Sequence, residues 1–328
     1  MALVSLVKSP GDSGTSFESH SKAVLSATLC GALLVLAGLG MPKWLTFLLT
    51  VAAANGLVSL GIVVLMRSGV VSFGQGLVFA AGGYAVALLF NKVGFHDLIG
   101  LAFLGGLLAC LIAVPFAPLL SRYRGIFFAM LTLALSMVAY GLLMKLEMLG
   151  GSDGFNLGRP TLLGWKLPDQ QVGYILYSVT ILIATLMALG VHIYFQSSRG
   201  LLMLAVRENE LRVEYLGGSV RSVVIFNFAI AAFCGGLGGA LAALALGHIE
   251  PNFSYWTTSG EFVFVAILGG WQSVIAVFVA STIVELVRSF SSSYFPNSWQ
   301  LALGIFLLVV IRFLPRGIGA LWVKEGTR

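Results

Sequence analysis

Charged side chains are scarce in this sequence. Of its 328 residues, 19 are Lys or Arg and 13 are Asp or Glu, so only 10% are charged. Soluble domains carry about 25% charged residues, and 58% of this chain is hydrophobic. The composition excludes an ordinary soluble domain and indicates a membrane protein. The net charge of +6 is interpreted as a set of topology markers, not as a nucleic-acid surface, because Lys and Arg concentrate on the cytoplasmic side of membrane proteins.

Reactive and metal-binding residues are also few. The three cysteines lie singly in apolar runs, and the four histidines are far apart without HExxH spacing: Cys30, Cys110, Cys234, His20, His96, His192 and His248. No lysine follows a glycine, which excludes a Walker A loop, and Asp153 and Arg159 in a polar loop lack a nucleophile and base beside them. The sequence therefore predicts no catalytic residue, no metal and no cofactor.

Long apolar runs account for most of the chain. A helix needs about 20 apolar residues to cross the hydrocarbon of a bilayer, and helices are expected because lipid cannot satisfy open strand edges. The runs cover residues 23–39, 44–66, 73–90, 98–120, 125–144, 172–195 and 223–247, with two less regular segments at 261–287 and 299–313. The predicted fold is an all-α polytopic membrane protein with eight to ten transmembrane or re-entrant helices.

The positions of Lys and Arg predict the orientation. If segment 261–287 dips into the membrane and returns, 13 basic residues lie on the side of the N-terminus and six on the other side. If that segment crosses once, the division is ten against nine. The positive-inside rule favours the first arrangement. It places both termini in the cytoplasm and makes Leu268, Gly269 and Gly270 the turn of a re-entrant hairpin.

Two glycine-interrupted segments, one in each half of the chain, predict a translocation path. The first begins near Ser72 and Gln75, and the second is broken at Gly269 and Gly270. Paired interruptions of this kind point to a transport path between two repeats. Asn55 and Gln75 are the preferred path residues because a buried amide needs several partners, although interhelical hydrogen bonding is the simpler explanation for any single polar residue in a span.

The centres of the apolar runs contain no Asp, Glu, Lys or Arg, and Glu285 and Arg288 fall at the end of one run. Ionisable residues inside a membrane typically mark proton and ion pathways. Their absence argues against a proton-driven carrier. A path without fixed charge favours a polar, overall neutral solute such as a zwitterion or an amide.

One loop, residues 198–221, gathers seven of the 32 charged residues. Residues 201–216 can be written as one amphipathic helix with Leu201, Leu211 and Leu216 on its apolar side. Gly217 and Gly218 then end the helix. The residues alone leave two interpretations open: a solvated topology loop, or a docking element for something outside the bilayer.

Five blocks of this sequence resemble the membrane subunits of branched-chain amino acid ABC importers. They are AVRENELRVEYLGGSVR, SGVVSFGQGLVFAAGGYAVALL, RGIFFAMLTLALSMVAYGLLMKLEMLGGSDGFN, FVFVAILGGWQSVIAVFVAS and the terminal RFLPRGIGALW. The blocks cover residues 55–322 roughly in family order. The RENE stretch, the FFAMLTLA block and the PRG tail are similar to the M-type permease rather than its H-type partner, and urea and amide importer permeases look similar over the same blocks.

The resemblance implies an assembly in the bacterial inner membrane. Its other members are an H-type permease subunit, two cytoplasmic ATPase subunits and a periplasmic solute-binding protein, which the loop at 150–171 is expected to face. The loop helix becomes the element that docks on an ATPase, with docking residues Arg207, Glu208, Asn209 and Glu210 and with Gly217 at its end. ATP-driven closure of the ATPases then tilts the spans and gives alternating access.

The expected domain organisation is a cytoplasmic segment at 1–22, one permease domain at 23–322 with its coupling loop at 198–221, and a cytoplasmic tail at 323–328. The alternative function is a self-sufficient channel or secondary carrier for a small neutral solute, which needs no ATPase. A membrane-embedded enzyme is a third possibility, and it requires a reactive cluster that the sequence lacks.

Overall fold

A computed structural model describes residues 27–165, 168, 171–294, 298–314 and 317–321. The predicted cytoplasmic segments 1–22 and 323–328 lie outside the described residues, as does the start of the first predicted span. The helices are, in chain order, α1 (Ala27–Ala37), α2 (Lys43–Arg67), α3 (Gln75–Leu88), α4 (Leu98–Ala113), α5 (Ala117–Leu120), α6 (Gly125–Lys145), α7 (Val172–Gln196), α8 (Ser198–Glu208), α9 (Glu210–Tyr215), α10 (Val220–Leu246), α11 (Trp256–Gly269), α12 (Val274–Tyr294) and α13 (Trp299–Phe313).

Seven of these helices are long and apolar enough to cross a membrane, when α3 is continued to Val93 and α4 to Leu120. In the described residues, sheet is limited to an antiparallel ribbon of β1 (Phe155–Asn156) and β2 (His248–Ile249). The fold is therefore all-α and polytopic, as predicted. Helices α1, α11 and α13 are shorter than these seven spans.

Helices α2 and α10 form the centre of the bundle. They pack against each other, α10 also packs against α3 and α4, and α2 also packs against α7 and α12. Glycines allow these close approaches, because a Cβ on Gly239 would overlap the Phe79 carbonyl and one on Gly82 would overlap the backbone of Gly236. The GGLGG sequence in α10 thus acts as a helix-packing motif.

The first interruption separates α2 from α3. Gly69 adopts a positive φ of 84°, and residues 70–74 run without helix until α3 begins at Gln75. Phe73 N–H donates to Thr132 Oγ1 on α6 at 3.0 Å. This bond satisfies a backbone group that lipid cannot satisfy.

The counterpart of this interruption lies before α11, not at Gly269–Gly270 as predicted. Gly247 ends α10 with φ 68°, residues 248–255 leave the α-helix, and α11 begins at Trp256. Pro251, which has no backbone N–H, begins a short 3-10 helix there. Both α3 and α11 have 14 residues, and they meet near their starts, where Gly76 N–H donates to Ser259 Oγ at 2.9 Å.

This meeting point lies at mid-depth. Ser254, at the end of the second interruption, exchanges two hydrogen bonds with Ser136, which is midway along α6. The two short helices therefore begin inside the bundle and run toward opposite ends. Such discontinuous helices are a feature of transporter folds.

A helical hairpin follows, as predicted from Gly269 and Gly270. Helix α11 ends at Gly269, Gly270 adopts φ 77°, and α12 begins at Val274. Arg288 on α12 reaches back to Glu261 on α11, so the two helices run antiparallel. The turn at 270–273, the hairpin tip, is covered by the 3-10 helix Ile318–Leu321 that follows α13.

Candidate functional site

The charged loop forms two helices and not the single predicted helix over 201–216. Asn209 separates α8 from α9 with an extended φ of −160°. Its side-chain oxygen accepts from Arg212 N–H at 3.0 Å. Asn is a preferred N-cap residue because its side chain satisfies a backbone N–H that the first turn leaves unpaired, so it starts α9 anew. Gly217, with φ 82°, follows the end of α9 as predicted.

The side chains that the loop buries are not the predicted ones. Met203, Val206 and Val213 face the protein, whereas the predicted apolar side is exposed at Leu201, Leu211 and Leu216. The predicted apolar side is already turned away from the bundle in α8, where Leu201 is 60% exposed. Tyr215 and Leu216 are 89% and 83% exposed, so α9 presents an apolar surface among charged residues, here called the α9 face (Leu211, Arg212, Glu214, Tyr215, Leu216).

Three of the four predicted docking residues contact this chain itself. The Arg207 guanidinium lies 4.1 Å from the centre of the Trp271 ring at the hairpin tip. Glu210 pairs with Arg124 at 2.7 Å, and Asn209 caps α9. Glu208 is exposed. Partial burial lowers the pKa of Arg207.

These contacts assemble one end of the bundle, here called the loop end. It contains α8, α9, the hairpin tip and the end of α2, where the Arg67 guanidinium lies 4.2 Å from the Phe195 ring centre. Arg221 near the start of α10 donates to Ser121 Oγ and to the Pro118 carbonyl. The charged loop thus contacts several membrane helices in addition to α7 and α10, which it connects in the chain.

A cleft opens at the opposite end. It has a volume of about 1060 Å³ and lies between the starts of α2 and α7 and the end of α10. Lys43 and Arg159 line it, and it extends along α2 to Thr46 and Thr50. The cleft is large enough to hold a molecule of amino-acid size.

Charged residues lie at mid-depth, contrary to the prediction that the span centres contain none. Asn55, at the centre of α2, donates from Nδ2 to Glu285 Oε2 on α12 at 3.3 Å. Arg288 pairs with Glu261 of α11 at 3.2 Å, and Glu285 interacts electrostatically with both residues. We call Asn55, Glu261, Glu285 and Arg288 the central polar cluster.

The prediction failed because the apolar run at 261–287 was taken as the limit of the membrane segment. Helix α12 continues seven residues past that run, to Tyr294. A Ser-rich stretch, SFSSSY, forms its last turns. Glu285 is therefore in the second half of a 21-residue helix and not at its end. Because these serines are polar, the apolar run ends before the helix does, and the run underestimates the length of α12.

The central polar cluster is accessible from one side of the bundle. From Thr50 to Leu65, Asn55 alone among the residues of α2 is not buried. The side chains of Glu261 and Arg288 are 24% and 41% exposed. Ionisable groups at this depth face a protein neighbour or a water-filled cavity, since exposure to hydrocarbon is costly.

The predicted path residues lie at three places in the bundle. Asn55 lies in the central polar cluster, Ser72 and Gln75 are buried at the first interruption, and Gly269 and Gly270 form the hairpin tip. Gln75 Oε1 faces Gly235 and has no hydrogen-bond partner among the described residues. Sequence reasoning missed Glu261, Glu285, Arg288 and Trp271. For the three charged residues, the signal in the sequence was a position at or near the end of an apolar run.

The chain is similar to known permeases. A family model described as "Branched-chain amino acid transport system / permease component" matches residues 44–312. The high-affinity branched-chain amino acid transport system permease proteins LivM of Escherichia coli (strain K12) and Salmonella typhimurium (strain LT2) are each 26% identical over 281 residues. Each match covers 78% of this chain, which spans 65% of the length of these relatives. No solved structure matches the chain.

Proposed function

The chain belongs to the permease-component family of branched-chain amino acid transport systems, and we propose that it is the transmembrane permease subunit of an ABC importer. It translocates branched-chain amino acids, or a related small polar solute such as urea or an amide, by alternating access driven by separate ATPase subunits. Its partners are an H-type permease, two cytoplasmic ATPases and a periplasmic solute-binding protein. The observation that carries the proposal is the exposed α9 face at the loop end of a family permease.

We propose that the loop end faces the cytoplasm of a bacterial inner membrane. Arg67, Arg124, Arg207 and Arg221 all lie at this end, which agrees with the positive-inside rule. The two termini are then cytoplasmic and the loop at 150–171 is periplasmic. Counting α1, α11 and α13 as membrane segments gives ten, with α11 crossing from mid-depth.

The coupling element, in this proposal, is α8 with α9, and its docking surface is the α9 face together with Glu208. Aromatic residues at the centre of an interface contribute most of its binding energy, and Tyr215 is the aromatic residue available on this face. Arg207, Asn209 and Glu210 act inside the chain: they hold the loop in shape and connect it to the hairpin tip and to Arg124.

Motion of the coupling element reaches mid-depth through a short route. Arg207 stacks on Trp271 at the hairpin tip, and α12 begins three residues later and carries Glu285. A push on α8 therefore displaces the hairpin relative to α2, which alters the contact between Asn55 and Glu285. This sequence of contacts links ATPase closure to the centre of the membrane domain.

The docking role of the α9 face is tested by replacing Tyr215, with a tyrosine at the opposite end of the bundle as the control. Loss of an interface hot spot costs about 2 kcal/mol or more, which corresponds to about 30-fold in affinity. We expect Tyr215→Ala to reduce ATP-driven uptake and transport-stimulated ATPase activity in proteoliposomes that hold the complete importer, with the ATPase subunits dissociating more readily during purification.

Tyr294→Ala is the matched control, because Tyr294 is 75% exposed at the far end of α12. We expect it to retain uptake and ATPase coupling. Equal activity of the Tyr215→Ala variant and the wild type would exclude the α9 face as the docking surface.

The central polar cluster gives some support to the alternative, a self-sufficient channel or secondary carrier, because in-membrane ionisable residues are typical of ion-coupled transport. Liposomes containing this chain alone separate the two functions. The importer hypothesis predicts no uphill accumulation without partner subunits and ATP. Accumulation driven only by an ion gradient would establish the alternative.

A further inference from the structure

Arg199 is an exposed arginine at the loop end, and it stacks on an exposed ring of a membrane helix. Its guanidinium carbon lies 4.9 Å from the centre of the Phe226 ring, and Phe226 on α10 is 41% exposed. Among the described residues, no carboxylate pairs with Arg199. A positive charge is therefore held beside an apolar surface.

Arg199 lies at the level of the lipid head groups. Helix α10 has 27 residues and is about 40 Å long, so a centred α10 extends about 5 Å beyond the hydrocarbon at each end. Phe226 is the seventh residue of α10, about 9 Å from its start. The ring therefore lies just inside the hydrocarbon, and the guanidinium stacked on it lies at the boundary with the head groups.

An apolar groove leads from this ring toward mid-depth. Phe226, Ile230 and Phe233 lie on one face of α10, because they are four and three residues apart. Tyr194 of α7 flanks this face with its ring centre 5.7 Å from that of Phe226, and Phe103 of α4 lies 6.5 Å from Phe233. Ile230 and Phe233 are half-buried while Phe103 is 47% exposed, so the face is recessed. These five residues are called the α10 groove.

We propose that the α10 groove binds one anionic phospholipid, with the phosphate on Arg199 and an acyl chain along α10. A guanidinium binds phosphate through two parallel N–H donors, and basic pockets between membrane helices are typical sites for anionic head groups. The proposal goes beyond the proposed function. It adds a lipid ligand at the base of the coupling element, because Arg199 is the second residue of α8.

A protein partner is the alternative occupant, and two observations favour lipid. The groove is one helix face wide and about 10 Å long between Phe226 and Phe233, which suits an acyl chain, whereas a stable protein interface involves about 20 residues or more on each side. The positive charge of Arg199 is also complementary to an anionic head group.

The lipid site is tested by photolabelling the full-length chain in nanodiscs, alone and within the complete importer. The probes are phosphatidylglycerol and phosphatidylcholine that carry the same diazirine midway along one acyl chain. Mass spectrometry then quantifies the label on peptides covering residues 226–233. We expect phosphatidylglycerol to label them about fivefold more than phosphatidylcholine does, because one basic residue near an anionic lipid surface contributes roughly that factor.

Substitutions identify the residue responsible for this preference. Arg199→Gln should make labelling by the two lipids about equal, and labelling by phosphatidylcholine should persist because the apolar groove is unchanged. Arg199→Lys keeps the charge and should retain most of the preference. Arg122→Gln is the matched control, because Arg122 is exposed two residues before Arg124, which pairs with Glu210 of α9 at the loop end. It should label as the wild type does.

Three results would overturn the lipid site. Equal labelling of the wild type by the two lipids would show that the groove does not select an anionic head group. An unchanged preference in Arg199→Gln would assign the selection to another residue. Absence of label from the groove in the complete importer would exclude a bound lipid there, and labelling of the isolated chain alone would assign the groove to a partner subunit.

Discussion

Arg207 and Trp271 show how single residues at the loop end have a role that their positions in the sequence do not suggest. Arg207 belongs to the most charged loop of the chain, and Trp271 follows a glycine pair 64 residues later. Their stacking at 4.1 Å makes the arginine a link between α8 and the hairpin tip. The docking role predicted for Arg207 from its family motif therefore becomes, in our proposal, a coupling role.

Replacement of Trp271 tests this link. A cation–π pair contributes about 0.5 to 2 kcal/mol, so we expect Trp271→Leu to lower ATP-driven uptake by roughly twofold to 30-fold. Leucine keeps the apolar bulk and removes the ring. The diagnostic result is ATPase activity that continues while uptake falls, measured on the same proteoliposomes.

Trp44→Leu serves as the control, because Trp44 is 58% exposed at the other end of α2. The link would be disproved if Trp271→Leu and Trp44→Leu had the same ratio of uptake to ATP hydrolysis as the wild type.

At the scale of elements, the two-helix form of the loop decides what the loop can contact. Met203, Val206 and Val213 face the bundle, while the break at Asn209 separates α8 from α9 and Leu211 and Leu216 are exposed. The break is locally encoded by a good N-cap residue followed by Glu210, whose negative charge is favourable in a first turn. The same Glu210 reaches Arg124, so the cap and the ion pair fix α9 together.

Removal of the cap should loosen α9. An N-cap Asn replaced by Ala costs about 1 kcal/mol, which increases the open population of the helix by about fivefold. We expect faster hydrogen–deuterium exchange at 210–215 in Asn209→Ala, with weaker transport-stimulated ATPase activity and unchanged exchange in α10.

Asn209→Asp retains a capping oxygen and adds a favourable charge at the helix start. Its exchange at 210–215 should match or fall below that of the wild type. Identical exchange in the alanine and aspartate variants would show that Asn209 does not hold α9.

The short helices α3 and α11 illustrate a second property of elements. Each begins at mid-depth, and Gly76 near the start of one contacts Ser259 near the start of the other. Glycine content predicted an interruption in each half, and the first, predicted near Ser72 and Gln75, lies at residues 70–74. The second was placed at Gly269 and Gly270 because no local rule distinguishes a hairpin turn from a break that pairs with another break far away.

At the scale of the whole molecule, the loop end collects the arginines and the opposite end contains the cleft of about 1060 Å³. This difference between the two ends agrees with the proposed subunit, in which solute enters at one side of the membrane and the ATPases act at the other. Long helices α2 and α10 form a rigid centre, and the α11–α12 hairpin packs on α2 with its tip at the loop end.

Cysteine labelling tests this orientation. In a variant whose three native cysteines are replaced, we expect Met148→Cys to react with a membrane-impermeant thiol reagent applied to intact spheroplasts. Tyr215→Cys should react only after the membrane is permeabilised. Both positions are highly exposed, at 76% and 89%, so a difference reports sidedness and not burial. Reaction of Tyr215→Cys from outside would invert the proposed topology.

The sequence by itself determined the membrane class, the helices, the charged loop and the family resemblance, because each depends on composition or on patterns within about 20 residues. Family membership agreed with that resemblance. Only the tertiary structure decided the partners of distant residues. Asn55 and Glu285 are 230 positions apart, and whether Glu285 lies at mid-depth or at a membrane surface depends on how α12 packs against α2. Hydropathy averages a helix over its whole circumference, so it cannot report which single face carries the charge.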